Sequence, residues 1–313
     1  MEEYDMELKT VSLIGLGAMG IFFAPRLQEQ LGENFRVIAG GPRKARLETR
    51  GVTVNGINYK FRITDPQDQS GPADLIIMAV KDAGLDQAIA DIRNQVAEHT
   101  QILCVMNGVE SEERVAAVYG WEHVLYSYMR VSIVMKDGTA NYDPALGKIH
   151  FGERENCGAP SPRVAAIQAL FERCGISYAN DPDMVRGLWF KYMCNVGENM
   201  TCALLSIPFG AFRWCEPANE LRRAAMREVI AVARAKGIDL GEADIERQEA
   251  TVKALPAENK PSTLQDLEAG RKTEVGMFAG AVVRMGRELG IDTPVCWVLE
   301  QGIRVLEEQQ DHN

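Results

Sequence analysis

The segment Leu188-Trp-Phe-Lys191-Tyr-Met-Cys-Asn195-Val-Gly-Glu-Asn199 carries one amine and two carboxamides at i, i+4 and i+8. On a helix that spacing puts all three on one face. The flanking residues are largely apolar, which predicts a partly buried polar stripe. Such a stripe needs hydrogen-bond partners, supplied by protein or by ligand. A hydrogen-bonded structural stripe and a solvated face fit the local sequence as well. Gly197 inside this helix costs about 1 kcal/mol relative to alanine and admits close approach of another backbone or a ligand.

A second constellation is Gly15-Leu16-Gly17-Ala18-Met19-Gly20, a G-x-G-x-x-G between a strand pattern and a helix pattern. Gly15 permits the tight turn, Gly17 lets the backbone approach a pyrophosphate, and Gly20 lets helix and strand pack closely. The free N–H groups and positive end of the helix then bind phosphate. NAD-preferring sites carry an acid about 20 residues further on. None occurs from Arg36 to Gly41, and Arg43, Lys44 and Arg46 follow instead. This predicts NADP(H), with Arg43 as the 2′-phosphate contact, while Lys44 and Arg46 fit a solvated helix face equally. Two further strands end in polar residues, Val80-Lys81-Asp82 and Met106-Asn107-Gly108. Lys81 and Asn107 are expected to face the nicotinamide, although Asn-Gly is also a common turn pair.

The third segment runs Pro261-Ser262-Thr263-Leu264-Gln265-Asp266 to Arg271-Lys272-Thr273-Glu274. Ser262 with Gln265 reads as a capping box, and a helix N-terminus also suits a carboxylate ligand. Glu274 reads locally as a surface acid on a helix starting near Thr273. No metal site is expected: His99, His123, His150 and His312 are scattered, and none of the seven cysteines has CxxC spacing. The cysteines are read as buried, reduced thiols.

These groups need a frame. Up to about Asp181 strand and helix patterns alternate. Apolar strands are expected at Thr10–Gly15, Phe35–Ala39, Ala73–Lys81 and Gln101–Met106, with later ones at His123–Met135 and Lys148–Gly152. Helices are expected at Met19–Leu31, Arg43–Arg50 and Asp82–Ala97, and a hairpin with an Asn55-Gly56 turn from Val52 to Ile63. Beyond Asp183 only helical patterns remain, the last opening with Thr293 as N-cap and Pro294 at the first position. The expected fold is α/β: a Rossmann-type, doubly wound, mostly parallel sheet over residues 1–181, then an all-α C-terminal domain over 182–313.

Composition narrows the partners. Against 34 basic residues stand 44 acidic ones, a formal net charge of -10. No basic patch is evident, so neither nucleic acid nor an anionic membrane is expected as a partner. No apolar run reaches the ~20 residues of a membrane span. The acidic start Met1-Glu-Glu-Tyr-Asp-Met-Glu7 lacks the basic opening of a signal peptide, so a cytoplasmic location is expected.

Taken together the landmarks resemble the ketopantoate reductase (2-dehydropantoate 2-reductase) family, in order along nearly the whole chain. They are Gly15-x-Gly17-x-x-Gly20, Val80-Lys81, Asn107-Gly108, Lys191-x-x-x-Asn195-x-x-x-Asn199, and Ser262-x-x-Gln265-Asp266 ending in Thr273-Glu274. The resemblance implies NADPH-dependent reduction of 2-dehydropantoate to (R)-pantoate, a step towards pantothenate and coenzyme A. It implies Lys191 as general acid and Glu274 as the acid that interacts with substrate and lysine. It further implies Asn107 near the nicotinamide and the reacting centre, Asn195 and Asn199 on the substrate hydroxyl, and Ser262 on the substrate carboxylate. Many relatives place an arginine directly after the second strand, where this chain has Gly40. A related reductase of another small 2-oxo acid is the alternative enzyme. A non-catalytic NADP(H) sensor would not need the lysine, asparagine, serine and glutamate set. The apolar helices of the second domain fit a monomer core or a homodimer interface.

Overall fold

The computed structural model describes residues 7–69 and 71–312; the acidic opening at residues 1–6 lies outside them. The chain separates into two compact units, the first ending at Met184 and the second beginning at Val185.

Among the described residues, the strands of the first unit are β1 (Val11–Ile14), β2 (Phe35–Ile38), β3 (Val52–Val54), β4 (Ile57–Tyr59), β5 (Ile63–Thr64), β6 (Leu75–Met78), β7 (Gln101–Cys104), β8 (Val124–Arg130), β9 (Val134–Lys136), β10 (Thr139–Asn141), β11 (Lys148–Gly152) and β12 (Tyr178–Ala179). Its helices are α1 (Ala18–Leu31), α2 (Gly41–Arg50), α3 (Leu85–Asp91), α4 (Ser111–Tyr119) and α5 (Pro162–Arg173). Eight strands form the main sheet in the order β12-β11-β8-β7-β6-β1-β2-β5, and β4-β3-β10-β9 form a small second sheet. From β5 to β8 every pair in the main sheet is parallel; β11 runs antiparallel to β8, and β12 parallel to β11.

The central strands are apolar runs because both faces are covered. Every residue of Leu75-Ile-Ile-Met78 is buried. Alternate side chains serve opposite faces. Leu13 and Ile77 join the core that holds Phe22 and Phe23 of α1 and Phe171 of α5. Ile14, Ile76 and Met78 join the core of Leu85 and Ile89 of α3 and Val115 of α4. Pro25 stands inside α1 and cannot donate to the carbonyl of Ile21. The Tyr142 hydroxyl donates to that carbonyl instead, at 3.2 Å.

Three expectations change here. The hairpin turn forms as expected, with Asn55 and Gly56 both at positive φ (48° and 82°), the primed geometry that matches strand twist. Its second strand stops at Tyr59, however, and Ile63–Thr64 crosses to pair with β2 at the edge of the main sheet. The helix expected over Asp82–Ala97 is α-helical only at Leu85–Asp91, between single 3₁₀ turns at Asp82–Gly84 and Arg93–Gln95. The strand expected over His123–Met135 divides into β8, in the main sheet, and β9, in the small one.

The second unit is helical: α6 (Met184–Cys194), a π-turn at Asn195–Asn199, α7 (Met200–Leu205), α8 (Glu216–Ala235), α9 (Glu242–Ala254), α10 (Ser262–Glu268), α11 (Ala279–Leu289) and α12 (Pro294–Asp311). Thr293 precedes α12 but makes no side-chain cap. Glu228 of α8 does that work, accepting from the Val295 and Cys296 amides at 2.8 and 2.7 Å. The helix expected from Thr273 begins only at Ala279. Thr273 folds back locally, its hydroxyl accepting from the Val275 amide at 3.1 Å, a bond that competes with helix. Of the seven free cysteines five are buried, whereas Cys157 is exposed and Cys215 half-buried. Among the described residues no helix is long and apolar enough to cross a membrane.

Candidate active site

In the first unit the site residues stand at the carboxyl ends of adjacent strands. Ile38, Ile14, Met78 and Cys104 are register partners across β2, β1, β6 and β7. Chain leaving that row becomes the glycine turn after β1, Lys81 after β6 and Asn107 after β7. Two ladder bonds extend past the strands, from the Ala79 amide to Ile14 (2.8 Å) and from the Val105 amide to Met78 (2.9 Å).

The three glycines of the turn have different surroundings. Gly15 has φ +95°, and a Cβ on it would stand 2.5 Å from the Ala79 carbonyl. A Cβ on Gly20 would stand 2.0 Å from the Gly15 carbonyl oxygen. Both are close backbone approaches that a side chain would destroy. A Cβ on Gly17 would meet nothing within 4 Å. Gly17 is also the N-cap of α1 and provides no side-chain cap. Gly17 thus borders open space at the start of α1, between Leu16 and the first helical residues Ala18 and Met19, and the amides of a helix start form its positive end.

The corner beyond β2 holds the basic residues. Arg43 and Arg46 are exposed, and neither has a carboxylate partner among the described residues. Lys44 lies 3.9 Å from Asp65. A Cβ at Gly40 would come within 3.3 Å of Pro66 Cδ and 3.8 Å of Asp65 Oδ2. The tight fit against Pro66 explains a glycine at this position. It also reveals an acid that a scan along β2 misses: Asp65 arrives from β5, because β5 pairs with β2.

Asn107 is half-buried in the loop between β7 and α4, followed by Gly108 at φ +93°. Behind this loop stands Glu112, fully buried at the start of α4. It accepts from the Ser111 hydroxyl at 2.8 Å and the Ser127 amide at 3.2 Å. Loss of water around the carboxyl pushes its pKa up to about 7.

In the second unit, Lys191 is half-buried in the last turn of α6, and Asn195 opens the π-turn. Asn199 closes the turn, and its Nδ2 donates to Asn195 Oδ1 at 3.3 Å. Asn195 and Asn199 thus lie on one face, on a wider turn than the regular helix expected. Tyr192, next to Lys191, donates its hydroxyl to the carbonyls of Phe278 (2.6 Å) and Met277 (3.2 Å). This bond ties α6 to the segment Thr273–Phe278, which carries half-buried Glu274. Glu307 of α12 fixes the start of that segment, accepting from the Thr273 amide at 2.7 Å. Glu274 consequently sits in a turn held at both ends, not on a surface helix.

Ser262 is exposed as the first residue of α10, with Pro261 as N-cap. The capping box expected of Ser262 and Gln265 does not form, since the Gln265 amide group reaches back to the Lys260 carbonyl at 2.7 Å. The serine hydroxyl is therefore not committed to capping. α10, which opens with Ser262, packs on the π-turn that carries Asn195 and Asn199. Local sequence gave no sign of Tyr192, Glu307 or Asp65, because each acts through a partner far along the chain. Among the described residues no group of three or more His, Cys, Asp or Glu side chains is placed to hold a metal ion.

A doubly wound sheet with an uncapped, glycine-lined helix start defines a Rossmann-type NAD(P)-binding oxidoreductase, here joined to a helical unit. Residues 11–156 match the family described as ketopantoate reductase PanE/ApbA, and residues 183–307 match its C-terminal domain. A 2-dehydropantoate 2-reductase of Halobacterium salinarum is 31% identical over 272 residues, covering 84% of this chain and 87% of that protein. This chain belongs to the ketopantoate reductase family. Its fold is also that of D-mandelate dehydrogenase in a ternary structure with NADH and anilino(oxo)acetate, with a TM-score of 0.84, 21% identity and coverage of 96% and 99%. A dimeric ketopantoate reductase from Staphylococcus aureus matches with a TM-score of 0.75, 21% identity and the same coverage.

Proposed function

We propose that this protein reduces 2-dehydropantoate to (R)-pantoate with NADPH, a step towards pantothenate and coenzyme A. The observation that carries the reading is the contact of the Asn195 and Asn199 carboxamides at 3.3 Å, one turn beyond Lys191 on the same helical segment. The open space at Gly17 before an uncapped helix supports dinucleotide binding. Two exposed arginines without carboxylate partners support a 2′-phosphate.

When bound, the cofactor supplies a hydride to the ketone carbon. The chain's own groups do the rest. Negative charge grows on the ketone oxygen, and the Lys191 ammonium stabilises it and delivers the proton. Asn195 and Asn199 bind the substrate hydroxyl, Ser262 the carboxylate, and Glu274 pairs with substrate and lysine. Asn107 and Lys81 border the nicotinamide, with Gly15–Gly20 on the pyrophosphate and Arg43 on the 2′-phosphate. We propose residues 1–181 as the cofactor domain and 182–313 as the substrate domain, in a cytoplasmic enzyme that forms a homodimer.

A second reading is a reductase of another 2-oxo acid using NADH. Asp65 beside Gly40 favours it, because a carboxylate there suits a free ribose hydroxyl. One assay separates the two. NADPH and NADH oxidation is followed with 2-dehydropantoate, pyruvate, 2-oxoisovalerate and an aromatic 2-oxo acid. Fast oxidation confined to NADPH and 2-dehydropantoate is the expected result. A preference for NADH, or for another acid, overturns that assignment.

A further inference from the structure

The π-turn of the second unit rests on an unusual support. Glu198 lies inside the turn, between the two asparagines, and its side chain is buried. Arg222 of α8 is 0% exposed, and its Nη1 donates to Glu198 Oε1 at 3.2 Å. Gln248 of α9 spans the same carboxylate, its Nε2 lying 3.0 and 3.1 Å from the two oxygens. Glu249 adds a second acid 3.5 Å from Arg222 Nη2, and the guanidinium lies 5.1 Å from the centre of the Phe212 ring. Gly197 completes the arrangement. A Cβ there would come 2.5 Å from Met226 Cγ and 3.0 Å from the Arg222 carbonyl, so α8 lies directly on the turn.

A buried ion pair is a costly way to fill a helical core, and apolar side chains of equal volume are often as stable or more so. What it provides is a fixed geometry. In an α-helix, four residues advance by about 400°, so positions i, i+4 and i+8 drift sideways by about 40° at each step. A turn of i→i+5 type rotates less per residue and takes that drift back. Asn199 then returns towards the line through Lys191 and Asn195.

We propose that Glu198, Arg222 and Gln248 are positioning residues: they hold residues 195–199 in the π-turn, so that Asn195 and Asn199 stay aligned with Lys191 for the substrate. The substrate role of the asparagines rests on the function proposed above; the control of the turn does not. Glu198 and Arg222 act through the backbone between the two asparagines.

The test is a Glu198→Leu/Arg222→Met double variant of the full chain, which removes both buried charges together. Glu198→Gln is the second variant, keeping the volume and one acceptor. Amide exchange of the 195–205 peptide is read by mass spectrometry, beside KM and kcat for 2-dehydropantoate and the Kd of NADPH. Expected are exchange at least tenfold faster in that peptide, unchanged protection in the glycine-turn peptide, and an unchanged Kd for NADPH. KM rises about tenfold in the double variant and about threefold in Glu198→Gln, with a smaller change in kcat. Wild-type exchange in both variants overturns the proposal, as does loosened exchange with wild-type KM. If the wild type leaves 2-dehydropantoate untouched, the proposed function fails. Exchange of the 195–205 peptide then decides control of the turn by itself.

Discussion

Glu112→Gln removes a titration that the fold resists. The native carboxyl takes up its proton at about pH 7, against 4.5 for a free side chain, because burial strips it of water. The native chain therefore holds one more proton than the unfolded chain between those values. Stability must fall as pH rises through that window, then level off above about pH 7. The whole span corresponds to about 3 kcal/mol, of which about 2.5 kcal/mol falls between pH 5 and pH 8. Glutamine fits the same bonds: its carbonyl accepts from the Ser127 amide, and its NH₂ donates to the Ser111 hydroxyl, which rotates to accept. The variant should thus gain on the wild type by about 2.5 kcal/mol between pH 5 and pH 8. A chain with two units need not unfold in one step. Urea transitions are accordingly followed by amide exchange in the β7 and β8 peptides, which assigns each transition to the first unit. Parallel pH profiles for variant and wild type would refute the reasoning, and so would a gap that widens towards acid.

Other perturbations bear on the proposed chemistry. Lys191→Ala should lower kcat on the order of a hundredfold or more while the Kd of NADPH stays put; near-normal turnover by absorbance assay would remove the lysine from catalysis. Arg43→Ala should weaken NADPH roughly ten- to hundredfold, the loss of one charge-assisted bond, and NADH hardly at all. Equal losses for both cofactors by fluorescence titration would move the phosphate contact elsewhere. Gly20→Ala should abolish dinucleotide binding or folding of the first unit, since its Cβ would stand 2.0 Å from the Gly15 carbonyl oxygen. Calorimetric binding at wild-type affinity would show that the turn yields more easily than its packing indicates.

The parallel sheet and the glycine turn were legible because their signals are local. Apolar runs of strand length and a G-x-G-x-x-G between strand and helix need no knowledge of distant partners. The segment around Glu274 was not legible, because Thr273 is held by its own hydroxyl turn and by Glu307, 34 residues away. Helical periodicity there continues past residues that tertiary bonds keep out of the helix. Ser262 and Gln265 have the spacing of a capping box, yet Pro261 takes the cap and Gln265 turns to Lys260. The shared face of Asn195 and Asn199 was visible from their spacing, whereas the wider turn beneath them meets Arg222 and Gln248 from two other helices. Asp65 shows the same limit in the cofactor half. It is 25 residues beyond Gly40 in sequence, and only the pairing of β5 with β2 brings it there.

Strand order also governs how the first unit can be assembled as it is synthesised. Among the described strands of the main sheet, the interior strand β1 comes earliest in the chain, and neighbours add on both sides of it. β2 joins one side before β6, β7 and β8 extend the other in the order of their translation. The Thr10–Asp74 bonds that lock β1 beside β6 close a loop of 64 residues, a slow step compared with local helix formation. At synthesis rates of about 5–20 residues per second, several seconds pass with the open side of β1 unpaired. An unpaired apolar strand edge is a template for pairing with another chain. A nascent chain stalled between β2 and β6 would be the species most in need of a chaperone.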